Sequence, residues 1–220
     1  DLVMKKIIRS SISDIICKGV KPKYYFISGS GNRKTFSQSN LKKISVALKN
    51  EQNKYSIFLC GGDTVFSNKL SFTITSVGFS KKIISRNKAQ LNDDIYVTGN
   101  LGESSVGLKI LKKKLVVNKT LKKYFENKYF LPTLNLKLTD KLSSFANTSI
   151  DISDGLISDL EKLINKQKLS YKVYLEDIPV SNNVKKLIFK KKLNKILDSR
   201  VPDFLMRSES LKQDYSSITN

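Results

Sequence analysis

Apolar residues recur at helical spacing from the start of the chain. In KKIIRSSISDIICKGV, residues 5–20, Ile8, Ile12, Ile15 and Ile16 fall on one face and predict an amphipathic helix. Asp14 lies well away from that stripe, near Ser10 and Lys21, and Gly19 with Pro22 ends the helix. KYYFISGS then has strand character and closes in a Gly/Ser turn. Ser39 or Asn40 caps a helix reaching about Asn50, with Leu41, Ile44 and Leu48 facing inward. SIFLC predicts a strand, and LSFTITSVGF, residues 70–79, a half-buried antiparallel strand alternating Leu70, Phe72 and Ile74 with polar neighbours. Between them, LCGGDTVFSN reads as the connection.

A domain boundary is expected near Lys81. After it come a turn, a strand at IYVTG, a tight glycine turn and a helix through GLKILKKK. LPTLNLKLTDKLSSF adds a Pro-marked turn and a short helix. NTSIDISDGLISDLEKLINK reads as strand, loop and amphipathic helix, with Leu156, Ile157, Leu160, Leu163 and Ile164 as the apolar stripe. YKVYLEDIPVS is a further strand with its exit turn. From about Leu197 the periodicity fades into an irregular tail. The pattern predicts an α/β chain of α+β type, with domains at 1–80 and 81–196 and a tail at 197–220.

Composition narrows the chemistry. The 220 residues are 40% hydrophobic and 27% charged, an ordinary balance for a globular protein. No apolar run approaches the ~18 residues that would cross a bilayer, so a cytoplasmic location without membrane partners is expected. Cys17 and Cys60 are too few for a disulfide scaffold and form no CxxC; both read as small buried residues. The net charge of +21 suits nucleic acid, but the lysines are spread along the chain and no nucleic-acid-binding motif accompanies them. KILKKK, 109–114, and KKLIFKKK, 185–192, read as solvated helix faces. Histidine is absent, which removes Ser-His-Asp and Cys-His catalysis and imidazole zinc sites. Carboxylates, lysines, arginines, hydroxyls and backbone amides remain, an inventory suited to metal-assisted phosphoryl transfer.

Four acidic positions fit that chemistry: Asp14, Asp63, Asp151 and Asp154. In Gly61-Gly62-Asp63-Thr64 the glycines give an anion access to the backbone, and Asp63 offers a hard oxygen to a metal ion. In SIDISDGL, residues 149–156, Asp151 and Asp154 bracket Ser153 before a helix whose N-terminus favours phosphate. Two carboxylates so close repel one another unless a cation sits between them. The plainer alternative, that Ser153 or Asp154 only caps the helix, stands beside this one. TGNLGES, 98–104, reads as a strand-to-helix turn with Ser104 as cap. Arg86, in the expected inter-domain segment, is a cation that could meet phosphate.

In combination, SDIICKGVKP (13–22), GGDT (61–64), DDIYVTGNLGES (93–104) and DISDGL (151–156) resemble the thiamine-monophosphate kinase family of the aminoimidazole ribonucleotide synthetase (PurM-like) superfamily. The resemblance runs from residue 1 to roughly residue 190. It implies two α/β domains: a first sheet that pairs with its twin in a homodimer, and a second sheet packed with helices. It implies ATP- and Mg²⁺-dependent phosphorylation of thiamine monophosphate to thiamine diphosphate. Magnesium ligands match Asp14, Asp63, Asp151 and Asp154; nucleotide-contacting positions match Gly62, Asp63, Arg86 and Ser153.

The family's N-terminal Gly-Asp-Asp segment is absent, and QDYSSIT, 213–219, only faintly echoes a later glycine-rich motif. The chain therefore reads as a piece of a longer protein, inactive or nearly so alone. Two other readings predict different behaviour. Another ATP-dependent synthetase of the superfamily would act on a purine intermediate or form selenophosphate. A basic nucleic-acid-binding module would bind with steep salt dependence and ignore loss of the aspartates.

Overall fold

A computed structural model of the chain describes residues 1–189; the expected tail lies outside them. Two compact units form. The first comprises Asp1–Ser85 and Phe130–Asp151, and the second comprises Arg86–Tyr129 with the described residues from Ile152 on. The expected contiguous division thus differs by an excursion: Phe130–Asp151 returns to the first unit. Leu134 and Leu136 show why, since both pack on that unit's core of Ile8, Ile12, Tyr25, Tyr55 and Ile57.

In the first unit, α1 (Leu2–Ile16) buries Met4, Ile8 and Ile12 on one stripe. It is followed by β1 (Pro22–Gly31), α2 (Gln38–Tyr55), β2 (Phe58–Phe66) and β3 (Ser71–Gly78). The sheet order is β2-β1-β3. β1 and β2 run parallel and are joined through α2, because a parallel pair needs a crossover. β3 turns back antiparallel to β1, as the alternation of its side chains predicts. The helix cap is Ser37, whose hydroxyl accepts from Asn40 N–H at 3.4 Å. The buried line of α2 is Ala47, Glu51 and Tyr55, and Leu41 faces solvent, contrary to expectation. Glu51 can occupy the core because Arg9 pairs with it twice, Nε to Oε2 at 2.8 Å and an η nitrogen to Oε1 at 2.9 Å. Arg9 also donates to the Pro132 carbonyl at 3.2 Å, tying α1 to the returning segment.

The second unit contains α3 (Glu103–Leu111), most of α4 (Lys119–Phe130), α6 (Leu156–Ile164) and α7 (Asn182–Phe189). The remaining helix, α5 (Leu136–Phe145), belongs to the returning segment of the first unit. Val106, Ile110, Leu115, Phe125, Val184 and Leu187 form one core; Leu156, Leu160 and Ile178 form another. The strands expected at IYVTG, around Asp151 and at YKVYL do not form ladders among the described residues. Their apolar residues are used nonetheless: Val97, Tyr171, Val173 and Leu175 pack on Leu156, Leu160 and Ile178. Alternation foretold their burial, but a strand also needs a partner, and one isolated bridge, Leu101 to Val180, is what pairs here. The expected cap Ser104 is replaced by Gly102, so that α3 begins at Glu103. No helix of the described residues is long and apolar enough to cross a membrane.

Candidate functional site

Asp14 and Asp151 bear on the same end of α1. Asp14 is exposed on the last turn, opposite the core stripe. The segment carrying Asp151 docks beside it: Ser149 Oγ donates to the Cys17 carbonyl, Lys18 Nζ to the Ser149 carbonyl at 3.2 Å, and Ser13 Oγ to Asp151 Oδ2 at 3.5 Å. Cys17 senses both carboxylates. Burial pushes its thiol up to about 11, and the charges of Asp151 and Asp14 add to the rise against the lowering by Lys18. Cys17 is half-buried, and Cys60 is exposed rather than buried as expected.

Asp63 sits elsewhere in the first unit, and its setting corrects the sequence reading. Gly61-Gly62-Asp63-Thr64 is not a connection; it lies inside β2, with Asp63 opposite Ser28 of β1. The turn comes later, between Phe66 and Ser71. The register steps between Tyr25 and Phe26, leaving Cys60 as the extra residue of a bulge. Just beyond, a Cβ on Gly62 would stand 1.8 Å from the Ile27 carbonyl oxygen, whereas one on Gly61 would meet only Phe26, at 3.8 Å. The second glycine is therefore demanded by strand packing, whatever else it serves. Asp63 itself is exposed and accepts the Thr64 N–H at 2.7 Å.

The second unit holds the other candidates. Arg86, its first residue, is exposed. Ser153 and Asp154 stand exposed in the loop before α6, and Lys162 pairs with the Asp154 carboxylate. The amides of the loop just before the helix are already engaged: Ser153, Asp154 and Gly155 N–H all donate to Asp159. Asp159 is buried, and sequence reading missed it because an acid in the first turn of a helix ordinarily signifies dipole pairing alone. Burial pushes its carboxyl up, but Lys162 and the three amides outweigh that and hold it below the ordinary range.

The donor set suits magnesium rather than zinc. Among the described residues no three Cys, Asp or Glu side chains converge to hold an ion by themselves. Magnesium takes one or two carboxylates and keeps waters and phosphate oxygens for the rest. Asp14 and Asp151 offer two such carboxylates at one helix end, and Cys17 stays a thiol at neutral pH.

Known proteins resemble this chain in sequence and fold. The AIR synthase related protein N-terminal domain matches over residues 3–80. Thiamine-monophosphate kinase of Leptospira interrogans is 32% identical over 184 residues, covering 83% of the chain and 60% of that protein. The Buchnera aphidicola (Acyrthosiphon pisum) enzyme of the same name is 37% identical over 182 residues, 80% of the chain and 54% of its own length. The crystal structure of thiamine monophosphate kinase from Aquifex aeolicus superposes with a TM-score of 0.80 and 27% identity, over 86% of this chain and 64% of that one. A structure of AaThiL complexed with AMPPCP and TMP matches with the same score and identity, over 61% of that chain. Over the length they share, the chain is similar to thiamine-monophosphate kinases, and its residues 3–80 match the AIR synthase related N-terminal domain. Its fold is accordingly of PurM-like α/β type. It spans a little over half the length of the two curated relatives.

Proposed function

We propose that the protein containing this chain phosphorylates thiamine monophosphate to thiamine diphosphate, using ATP and Mg²⁺ by direct phosphoryl transfer. An oxygen of the acceptor phosphate attacks the γ-phosphorus of ATP, the bond to the β-bridging oxygen breaks, and ADP leaves. The observation that carries this reading is the superposition on a kinase solved with an ATP analogue and TMP. The acceptor is a phosphate monoester already ionised near neutral pH, so no strong general base is required. The absence of histidine from these 220 residues is therefore no obstacle to it.

The work left to the protein is to bring two polyanions together. Asp14, Asp63, Asp151 and Asp154 are the proposed magnesium ligands. Magnesium, when bound, supplies charge neutralisation to the phosphate oxygens. Gly62, Asp63, Arg86 and Ser153 are the proposed nucleotide contacts, with Arg86 as the cation and Ser153 as a hydroxyl donor. The protein is proposed to be a cytoplasmic homodimer. Its β2 supports dimerisation: it is a sheet edge whose Phe58, Leu59, Val65 and Phe66 are all exposed.

A full-length enzyme should convert thiamine monophosphate and ATP to thiamine diphosphate and ADP, lose activity to EDTA, and regain it with Mg²⁺. D63N and D151N should each reduce turnover by a hundredfold or more. Preference for a purine intermediate or for selenide in a panel of acceptors would remove the proposal. So would nucleic-acid binding that both substitutions leave intact.

A further inference from the structure

The loop before α6 is organised around a single oxygen. Ser153, Asp154 and Gly155 N–H donate to Oδ2 of Asp159 at 2.8, 2.9 and 3.2 Å. Its other oxygen, Oδ1, accepts Lys162 Nζ at 2.9 Å, and the same ammonium reaches the Asp154 carboxylate. Asp159 is 1% exposed, a placement a carboxylate tolerates only when its oxygens are bonded. Every bond named here goes to this loop or to its own helix. Gly155 has φ 125° and ψ 157°, a backbone region essentially closed to other residues, so it fixes the loop's exit while Asp159 fixes its interior. An acid placed only for the helix dipole would face the first amides of α6. Asp159 instead reaches back past them.

We propose that Asp159 is a positioning residue for the nucleotide-binding segment. It occupies the three loop amides, so phosphate at this loop is met by the Ser153 hydroxyl and an ion held on Asp154 rather than by the amides of 153–155, and it sets where those two side chains stand. The identity of the ligand rests on the proposed kinase function; the anchor does not.

Amide hydrogen exchange with and without Mg·AMPPCP tests both parts in the wild type, D159A and D159N. The wild type should protect the amides of 153–155, and nucleotide should leave that protection unchanged. D159A should lose it at those three positions while Leu160–Leu163 stay protected, and should bind Mg·AMPPCP about ten- to a hundredfold more weakly, as loss of a residue supporting metal ligands commonly does. D159N retains one acceptor oxygen and should lie between; should D159A fail to fold, D159N decides. Free exchange at 153–155 in the wild type would overturn the proposal, as would protection and affinity unchanged in D159A, or amides of D159A that become protected on adding nucleotide. A wild type that protects the three amides yet binds no nucleotide upholds the anchor and removes the kinase reading.

Discussion

Two adjacent glycines in β2 carry different duties, and the distinction is measurable. Gly62 faces the Ile27 backbone so closely that a Cβ would overlap the carbonyl oxygen at 1.8 Å; backbone cannot step aside as a flexible side chain can. Gly61 has ordinary van der Waals room. Gly62→Ala should therefore destabilise the fold by about 1–3 kcal/mol, the usual cost of overpacking. Gly61→Ala should stay within about 0.5 kcal/mol. Urea unfolding of both variants reads the difference, and equal losses would mean the bulge at Cys60 relaxes to admit either methyl. The same residues show what sequence could tell. Gly-Gly-Asp-Thr was legible as an exceptional segment, because glycines in an apolar context signal close approach. That the approaching group is the neighbouring strand follows from a register step between Tyr25 and Phe26, and register is a property of two strands rather than one.

Between elements, buried charge does much of the tying, and buried charge is where periodicity reads worst. The apolar stripes of α1 and α6 were legible in their centres: Ile8 and Ile12, and Leu156, Ile157 and Leu160, are buried as expected, whereas buried Arg9 was not foreseen. The buried line of α2 was not, since Glu51 looks like a surface position until Arg9 is placed against it. Asp159 and Glu103 escaped for the same reason: each is an acid that belongs outside unless specific partners are known. Glu103, at the start of α3, accepts the Tyr124 hydroxyl and pairs with Lys128 at 2.9 Å, both on α4. Burial pushes its carboxyl up, but the bonds from Tyr124, Lys128 and Ser181 outweigh it and leave the group below the usual carboxylate range. A carboxyl depressed in the folded state binds fewer protons there than in the unfolded chain, so its contribution is complete above the unfolded value of ~4.3 and fades as pH falls below it. Unfolding free energy of the wild type should thus drop on acidification below about pH 4. Glu103→Gln should begin about 1–3 kcal/mol less stable at neutral pH and show a shallower acid slope. Parallel slopes for the two proteins would place the acid sensitivity elsewhere.

At the scale of the whole molecule, an exposed apolar strand and a net charge of +21 pull in opposite directions. Phe66 is 81% exposed at the end of β2, and a long apolar edge invites pairing with another chain. Two chains of charge +21 repel one another, and salt screens that repulsion over a Debye length of roughly 8–10 Å. Self-association through β2 should therefore strengthen as salt rises. Binding to nucleic acid would do the reverse, because the lysines release condensed counterions that salt restores. Sedimentation from ~50 to ~500 mM NaCl separates the two forces. The proposed homodimer predicts a dimer fraction that grows with salt and is abolished by Phe66→Glu combined with Val65→Lys. Each substitution alters a side chain already facing solvent, so the monomer should keep its stability within about 0.5 kcal/mol. A dimer that dissolves with added salt, or that survives the paired substitution, would place association away from the β2 edge.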